Sequence, residues 1–432
     1  MVEVVELVRL SDIGDVEITG GVHAIGNYVF IAWYHDLNYQ YDEYGCKQLP
    51  NIFHNWIVKV EKLRQGSLEH VNVFGKECTP YVLWNFVGLW LAAFLPGYEN
   101  RNLLVIGGYD YSDYRSRLFI IDVTNPENPR HVKTILGTTQ IRNDGAFLTC
   151  SKKVEQCLIG CFGVGPTGGK AYVYRVGLRK LAEIETMEGL ELVEEDVSGV
   201  RLINHRYAVG GGAEKTGKAG KRYLIDIVHA TVTEIAPSDA PGIAAGRYGI
   251  TIDGNVVHGF LIREYDYEYI GRVTLPVAPS RYGVYVVGDG RFTIIDGERR
   301  MYIVRVDDNS IALEHSLTIQ QVVARCDMLQ EGVLICGKPG FTVQSIIEVR
   351  PDKRYIVLPN TRVKVVDENG NPVEGVELAV YEMDIFRTVD RVWDKAIQCN
   401  IGTYLGSVYT GSDGTADLSR FGQRNMIVLP RW

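Results

Sequence analysis

Short apolar runs interrupted by one charged residue recur along the chain: Ile57-Val58-Lys59-Val60, Ile120-Ile121-Asp122-Val123, Val173-Tyr174-Arg175-Val176, Leu224-Ile225-Asp226-Ile227, Leu261-Ile262-Arg263-Glu264, Ile303-Val304-Arg305-Val306 and Ile346-Ile347-Glu348-Val349, the fifth being the loosest and reaching its next apolar residue only at Tyr265. Each follows a second apolar segment that in most cases ends in glycine: Tyr28 to Trp33, Leu103 to Gly108, Cys157 to Gly163, Tyr207 to Gly212, Tyr248 to Gly254, Tyr282 to Gly288 and Val333 to Gly337. Another element follows the charged run, as in His131 to Ile135, Leu181 to Thr186, Val232 to Ile235, Ile270 to Leu275 and Tyr355 to Leu358. A weaker one precedes the pair, as in Val22 to Ile25 and Val200 to Ile203. Segments this short, rich in Val, Ile and Tyr and bounded by Gly, Pro and Asn, predict strands. Long helical periodicity is missing.

Four strands per unit, in units of about 40 to 60 residues, predict a β-propeller. One blade alone would expose two apolar faces, and stacking blades in a ring removes both from water at about 25 cal/mol per Å². The expected fold class is all-β: a seven-bladed propeller over residues 1–359 and a small β-sandwich over 360–432. The expected blades are 21–80, 81–140, 141–190, 197–237, 241–276, 280–319 and 320–358. Gly26-Asn27, His205-Arg206, Gly246-Arg247 and Ser280-Arg281 would each turn the chain into a second strand, with Asn27 and Gly246 suited to positive φ. Both Val2 to Leu10 and Tyr355 to Leu358 are candidates for the strand that closes the ring.

Leu118 to Ile135, LFIIDVTNPENPRHVKTI, resembles the LVIVD repeat, in which a strand ending in Asp leads into an Asn/Pro-rich turn. The resemblance implies a propeller of the cell-surface or extracellular kind without a shared catalytic motif. Thr361 to Asp384, TRVKVVDENGNPVEGVELAVYEMD, together with Tyr409 to Leu418, YTGSDGTADL, resembles carboxypeptidase-regulatory-like and transthyretin-like sandwich domains. Between Met383 and Gly406 the chain departs from that pattern. There Ile385, Val389, Val392, Trp393 and Ile397 stand at helical spacing and predict a short amphipathic helix. Related adhesin repeats crosslink a strand lysine to an asparagine, and Lys364, Glu377 and Asn425 are the residues here that would take part.

With 45 basic and 53 acidic residues the net charge is -8, opposite to the field a phosphate backbone rewards, so no nucleic-acid partner is expected. Val82 to Leu95 is broken by Asn85 and closed by Pro96, short of the roughly 20 apolar residues of a membrane helix, so no membrane insertion is expected. Met1 to Leu10 does not read as a secretory signal. Surface-type architecture with no export signal leads to the expectation of a virion or surface-assembly component. The eight cysteines show no paired zinc-ligand spacing, and no metal or cofactor is expected. Cys150 with Cys157, and Cys326 with Cys336, flank short turns where a cross-strand disulfide fits, although buried free thiols are the simpler expectation.

Gly163-Val-Gly-Pro-Thr-Gly168 and Gly212-Ala-Glu-Lys-Thr-Gly-Lys-Ala219 look like phosphate loops, yet each leads into a strand rather than the helix N-terminus that would hold a phosphate. No catalytic motif is present. An enzyme site at the propeller axis would draw on His23, Asp144, His205, Arg247, Arg281 and Arg325. The favoured surface is aromatic and acidic: Tyr34, His35, Asp36, Tyr39, Tyr41, Asp42, Glu43 and Tyr44 between the second and third strands of blade one, and Tyr109, Asp110, Tyr111, Asp113 and Tyr114 in blade two. Tyrosine offers rigid contact area at small entropic cost, which suits recognition loops. Lys215, Lys218, Lys221 and Arg222 make the same loop of blade four basic, so that face should be electrically polarised. The expected function is non-enzymatic binding of a protein or glycan partner, with the C-terminal unit as attachment or spacer. An intracellular scaffold is the competing reading.

Overall fold

The computed structural model describes residues 3–9, 18–25, 28–35, 55–64, 67–74, 86–110, 115–139, 145–163, 169–213, 216–280, 282–319, 325–330, 333–337, 343–350, 362–367, 369–386, 402–422 and 426–431. Seven sheets there carry a four-strand antiparallel ladder in meander order. Sheet one comprises Ile18–Ile25, Tyr28–His35, Asn55–Arg64 and Ser67–Phe74, and sheet two Phe86–Tyr98, Arg101–Asp110, Arg115–Asp122 and Arg130–Leu136. Sheet three comprises Gly145–Ser151, Gln156–Phe162, Ala171–Gly177 and Glu191–Glu195, and sheet four Val197–Leu202, Tyr207–Gly212, Arg222–Asp226 and Thr231–Ile235. Sheet five comprises Ile243–Ala245, Tyr248–Asp253, Val256–Ile262 and Tyr267–Thr274, and sheet six Gly283–Gly288, Arg291–Ile295, Arg300–Val306 and Ile311–Thr318. Sheet seven takes Arg325–Gln330, Val333–Gly337 and Val343–Arg350 from late in the chain, and Glu3–Arg9 from its beginning as the fourth strand. The fold is a β-propeller.

First strands of neighbouring sheets approach one another from sheet seven to one, one to two, two to three, three to four and six to seven. Shared apolar clusters join the rest: Ile203, Val209, Ala244 and Phe260 across sheets four and five, and Ile250, Val257, Phe292 and Tyr302 across sheets five and six. The first strand is therefore the innermost. Burial follows that order. In sheet three Gly145–Ser151 is buried throughout, whereas Glu191–Glu195 is largely exposed. A strand covered on both faces needs a near-continuous apolar run, and a rim strand does not.

The charged residue of the repeated run has a local task. Asp122 Oδ1 accepts the Thr124 N–H at 2.9 Å, and Asp226 Oδ1 accepts the Val228 N–H at 2.9 Å, so each carboxylate starts the turn that follows its third strand. Gly246 has φ +61°, the conformation its turn requires.

Several expectations are corrected. Gly283–Gly288 is the first strand of sheet six, not the second, because the tight Asp289-Gly290 turn leads at once into the short Arg291–Ile295 strand. Leu178–Ala182 is a 3-10 turn and the fourth strand of sheet three is Glu191–Glu195, so Leu181 to Thr186 is not that strand. Glu3–Arg9 pairs with Val343–Arg350, whereas Tyr355 to Leu358 lies outside the described residues. Cys150 and Cys157 form a disulfide across directly opposed positions, 4.0 Å between Cα atoms, so they are not free thiols. Cys161 is a buried free thiol whose pKa burial pushes up to about 11.

The C-terminal unit has a three-stranded sheet, with Glu377–Glu382 between Tyr404–Tyr409 and Met426–Arg431, and a two-stranded one, Arg362–Lys364 with Thr415–Asp417. Val363, Val365, Leu378, Val380, Ala416, Leu418 and Val428 form one core between them, a sheet-on-sheet arrangement. The helical spacing expected from Ile385 fails at its first residue. Ile385–Phe386 is a strand paired with Gly145–Ser151, because the open inner edge of sheet three offers backbone groups that a strand can satisfy and a helix cannot. Val389, Val392, Trp393 and Ile397 lie outside the described residues.

Candidate functional site

In a meander of four strands, the first and third turns emerge at one end of the sheet, and the second turn and the link to the next sheet emerge at the other. The C-terminal unit sits on the first end. It meets the first turns of four successive sheets, at Lys152, His205, Gly246-Arg247 and Asp289.

Over sheets three and four the contact combines a short ladder and buried hydrogen bonds with one apolar seat, that of Ile385. Ser151 pairs with Ile385 in the ladder, and the Lys152 N–H donates to the Asp384 carbonyl at 2.9 Å. His205, 2% exposed, lies between Ser151 Oγ, 2.7 Å from Nδ1, and two groups at Nε2: Thr403 Oγ1 at 2.9 Å and Asp384 Oδ2 at 3.1 Å. The Thr403 hydroxyl and N–H both donate to Asp384, at 2.8 and 2.9 Å. With the Thr403 hydrogen spent on Asp384, a His205 Nε2–H faces both the Thr403 oxygen and the Asp384 carboxylate. Burial pushes the Asp384 pKa up, but hydrogen bonds from His205 and Thr403 outweigh it and hold the carboxyl below its usual value. These are the residue types of a hydrolytic triad. Ser151 is 0% exposed, however, so the geometry fastens two units together and gives an acyl group no approach.

Over sheets five and six the contact is apolar around one acid. Ala379, Tyr381 and Leu429 join the cluster that contains Tyr248, Val284 and Phe292. Asp289, with a fully buried carboxylate, accepts the Tyr381 hydroxyl at 2.6 Å and Arg431 Nε at 2.6 Å, while its N–H donates to the Pro430 carbonyl at 3.2 Å. Burial and then the Asp289 charge drive the Tyr381 pKa well above that of free tyrosine. Burial lowers the Arg431 pKa, but the Asp289 hydrogen bond and charge prevail and raise it. Arg247 lies over the Tyr404 ring at 4.9 Å and pairs with Asp308 at 2.5 Å. A Cβ on Gly246 would fall 2.6 Å from the Tyr381 ring.

Among the residues put forward for an axial enzyme site, His205 and Arg247 are thus engaged in this seam. His23 and Arg325 lie in first strands, and Asp144 and Arg281 lie outside the described residues. Tyr34 and Tyr109 are each next to last in the second strands of sheets one and two, at the strand ends opposite the seam. Tyr39, Tyr41, Tyr44, Tyr111 and Tyr114 lie outside the described residues.

The basic loop of sheet four is corrected. Lys218 pairs with Glu194 at 2.6 Å and Lys221 with Glu234 at 2.9 Å. Arg222 donates to the Pro237 carbonyl, and burial, reinforced by Arg201, lowers its pKa to about 10. Local acids thus pair with both lysines, which weakens the expected polarity of that face, and Lys215 lies outside the described residues. Lys218 is a strut between sheets three and four, not a phosphate ligand. Glu377 takes Arg431 Nη1 at 3.2 Å, which occupies a carboxylate a lysine crosslink would need, and Asn425 lies outside the described residues. Among the described residues no group of three or more His, Cys, Asp or Glu side chains is placed to hold a metal ion, and no helix is long and apolar enough to cross a membrane.

Asp289, Tyr381, Asp384, Thr403 and Arg431 were not anticipated. Asp289 and Arg431 are 142 positions apart, and no local pattern joins them. The Asp289-Gly290 turn was the one available signal. The class defined by fold and seam is a propeller with a small sheet unit docked on one end.

No family model and no curated protein matches the chain. Among solved structures it is similar to Raptor of Chaetomium thermophilum, with 13% identity and a TM-score of 0.45 over 78% of this chain and 29% of that one. It is also similar to the Dos1 propeller, with 10% identity and a TM-score of 0.44 over 77% of this chain and 93% of that one. The chain therefore spans less than a third of Raptor's length. Both likenesses are loose, and the strand order itself carries the fold.

Proposed function

We propose that the chain is a protein-binding platform that works without chemistry of its own, and that its partner docks on the end opposite the C-terminal unit. One observation carries this reading: first turns of sheets three to six are already occupied by the chain's own C-terminal unit, which leaves the other end for recognition. In this reading the tyrosine-rich segments between the second and third strands of sheets one and two supply the contact surface. Support comes from the strand order, since in a meander the turns between second and third strands share one end, and from the suitability of surface loops for recognition. In this reading the propeller is LVIVD-like and the C-terminal unit transthyretin-like, its role being to cap one end.

The test is capture of partners from a native extract by the parent and by a variant with Tyr39, Tyr41, Tyr109 and Tyr111 all changed to Ala, alongside a glycan array. Loss of a protein partner in the variant supports the reading. Equal capture by both chains removes the tyrosine face, and binding confined to the glycan array replaces the protein partner with a sugar.

A further inference from the structure

The inner edge of sheet three already binds an extended segment, and the bound segment shows the chemistry it selects. We infer that this edge is a strand-addition receptor for an acidic–aliphatic peptide, occupied in cis by Asp384-Ile385-Phe386. Three contacts define it. The backbone of Cys150 and Ser151 pairs with Phe386 and Ile385, extending the four-strand ladder to five. The Lys152 N–H captures the carbonyl of the acidic residue at 2.9 Å, and His205 Nε2 stands 3.1 Å from its carboxylate. Ile385, 3% exposed, belongs to the apolar cluster that includes Phe147, Leu158, Val200 and Leu202 of sheets three and four. Main-chain pairing gives affinity and side-chain seats give selectivity, the logic of recognition by strand addition.

The receptor side is built into the propeller. Ser151 Oγ holds the His205 ring at Nδ1, 2.7 Å away, and the His205 backbone N–H donates to the Glu264 carbonyl of sheet five at 3.1 Å. The cis segment adds two ladder positions only, and the seam has an independent anchor at Asp289 on the far side. A competing peptide can therefore replace the segment without removal of the C-terminal unit. This receptor is distinct from the tyrosine end and stands or falls without it.

The test uses the full chain and a fluorescent peptide copying Tyr381 to Phe386. In the parent the tethered segment competes at an effective concentration on the order of millimolar, so the peptide binds weakly. In an Asp384→Ala, Ile385→Glu variant that keeps the parent's far-UV spectrum, binding tightens at least about tenfold. Adding His205→Ala to that variant reverses the gain. A folded variant that binds no better than the parent overturns the proposal. Hydrogen exchange on the parent checks it without any substitution. The Lys152 amide is expected to exchange faster than the amides of Gln156–Phe162, by local release of the segment. Exchange of Lys152 only at the rate of that inner hairpin would mean the segment leaves by global unfolding alone, and the receptor reading would fail.

Discussion

Over sheets three and four the C-terminal unit is held by a two-residue strand and a buried His205–Asp384 contact, whereas over sheets five and six Ala379, Tyr381 and Leu429 merge into the propeller core around Asp289. The same unit on the same end of the same ring is attached by two different balances of force: Ile385 is its one described residue in the apolar cluster of sheets three and four, against Ala379, Tyr381 and Leu429 in that of sheets five and six. Polar and backbone contacts replace equivalent contacts to water, so each contributes about 0.5–1.5 kcal/mol net. Apolar surface has no such substitute in water, and a buried carboxylate that has lost its partners is worse than none. The sheet five and six side is therefore the anchor, and the sheet three and four side is where opening costs least.

The largest expected effect breaks the anchor. Asp289→Ala leaves the Tyr381 hydroxyl and the Arg431 guanidinium without their shared acceptor, and a urea titration should show a loss of about 2–4 kcal/mol. The figure sits at the lower part of the range for broken buried pairs because Arg431 keeps Glu377 and is partly exposed. A loss no larger than that for substitutions at His205 would erase the proposed asymmetry.

Gly246→Ala tests the anchor by shape instead of charge. Its Cβ meets the Tyr381 ring at 2.6 Å and its φ is +61°, so about 1–3 kcal/mol is expected. Gly254→Ala is the control, because its φ is +57° but an added Cβ meets nothing within 4 Å; about 1 kcal/mol should cover that backbone cost. The difference between the two midpoints isolates the contact with the C-terminal unit. Equal midpoints would mean that Tyr381 is not seated there.

The asymmetry also explains what was legible in the sequence. Second and third strands are covered on both faces, so their apolar runs stand out, and the all-β propeller follows from them. Outermost strands are half-exposed, as acidic Glu191–Glu195 shows, and one first strand, Ile243–Ala245, has only three residues. An exposed rim strand carries a weak signal, which is why Leu181 to Thr186 reads as a strand in place of Glu191–Glu195; Gly283–Gly288 is the opposite case, a first strand so fully buried that it reads like a second. The seam was legible only through His205 and Arg247, residues set in turns beside inner strands. Asp384 and Ile385 were hidden by helical spacing, since local periodicity carries no record of an open strand edge elsewhere in the ring. The Asp289 socket takes Tyr381 and Arg431 from two separate strands of the docked unit, so no window of sequence contains it.

On the weaker side, Asp384→Asn should cost about 1–2 kcal/mol at neutral pH. The pH dependence gives a second readout. The folded Asp384 carboxyl has a pKa below its unfolded value of about 3.9, so its stabilisation is complete above that value and is lost as pH falls through the lower folded one. The parent should therefore lose this contribution only below about pH 4, and the Asn variant should show a flatter acid limb. An unchanged acid limb in the variant would place the acid sensitivity in another carboxylate.

The smallest effect is expected at the rim of the same side. Lys153 pairs with Glu264 at 2.6 Å, and the lysine hydrogen bond lowers the Glu264 pKa, yet both side chains are about a third or more exposed. Water and salt screen such a pair, so Lys153→Ala should cost about 0.2–1 kcal/mol, diminishing further in high salt. The measurement matters because Glu264 also presents its carbonyl to the His205 N–H, which belongs to the backbone and survives the substitution. If the loss at Lys153 instead rivals that at Asp384, the rim charge holds His205 in place, and the weaker side of the seam depends on long-range charge more than on its buried hydrogen bonds.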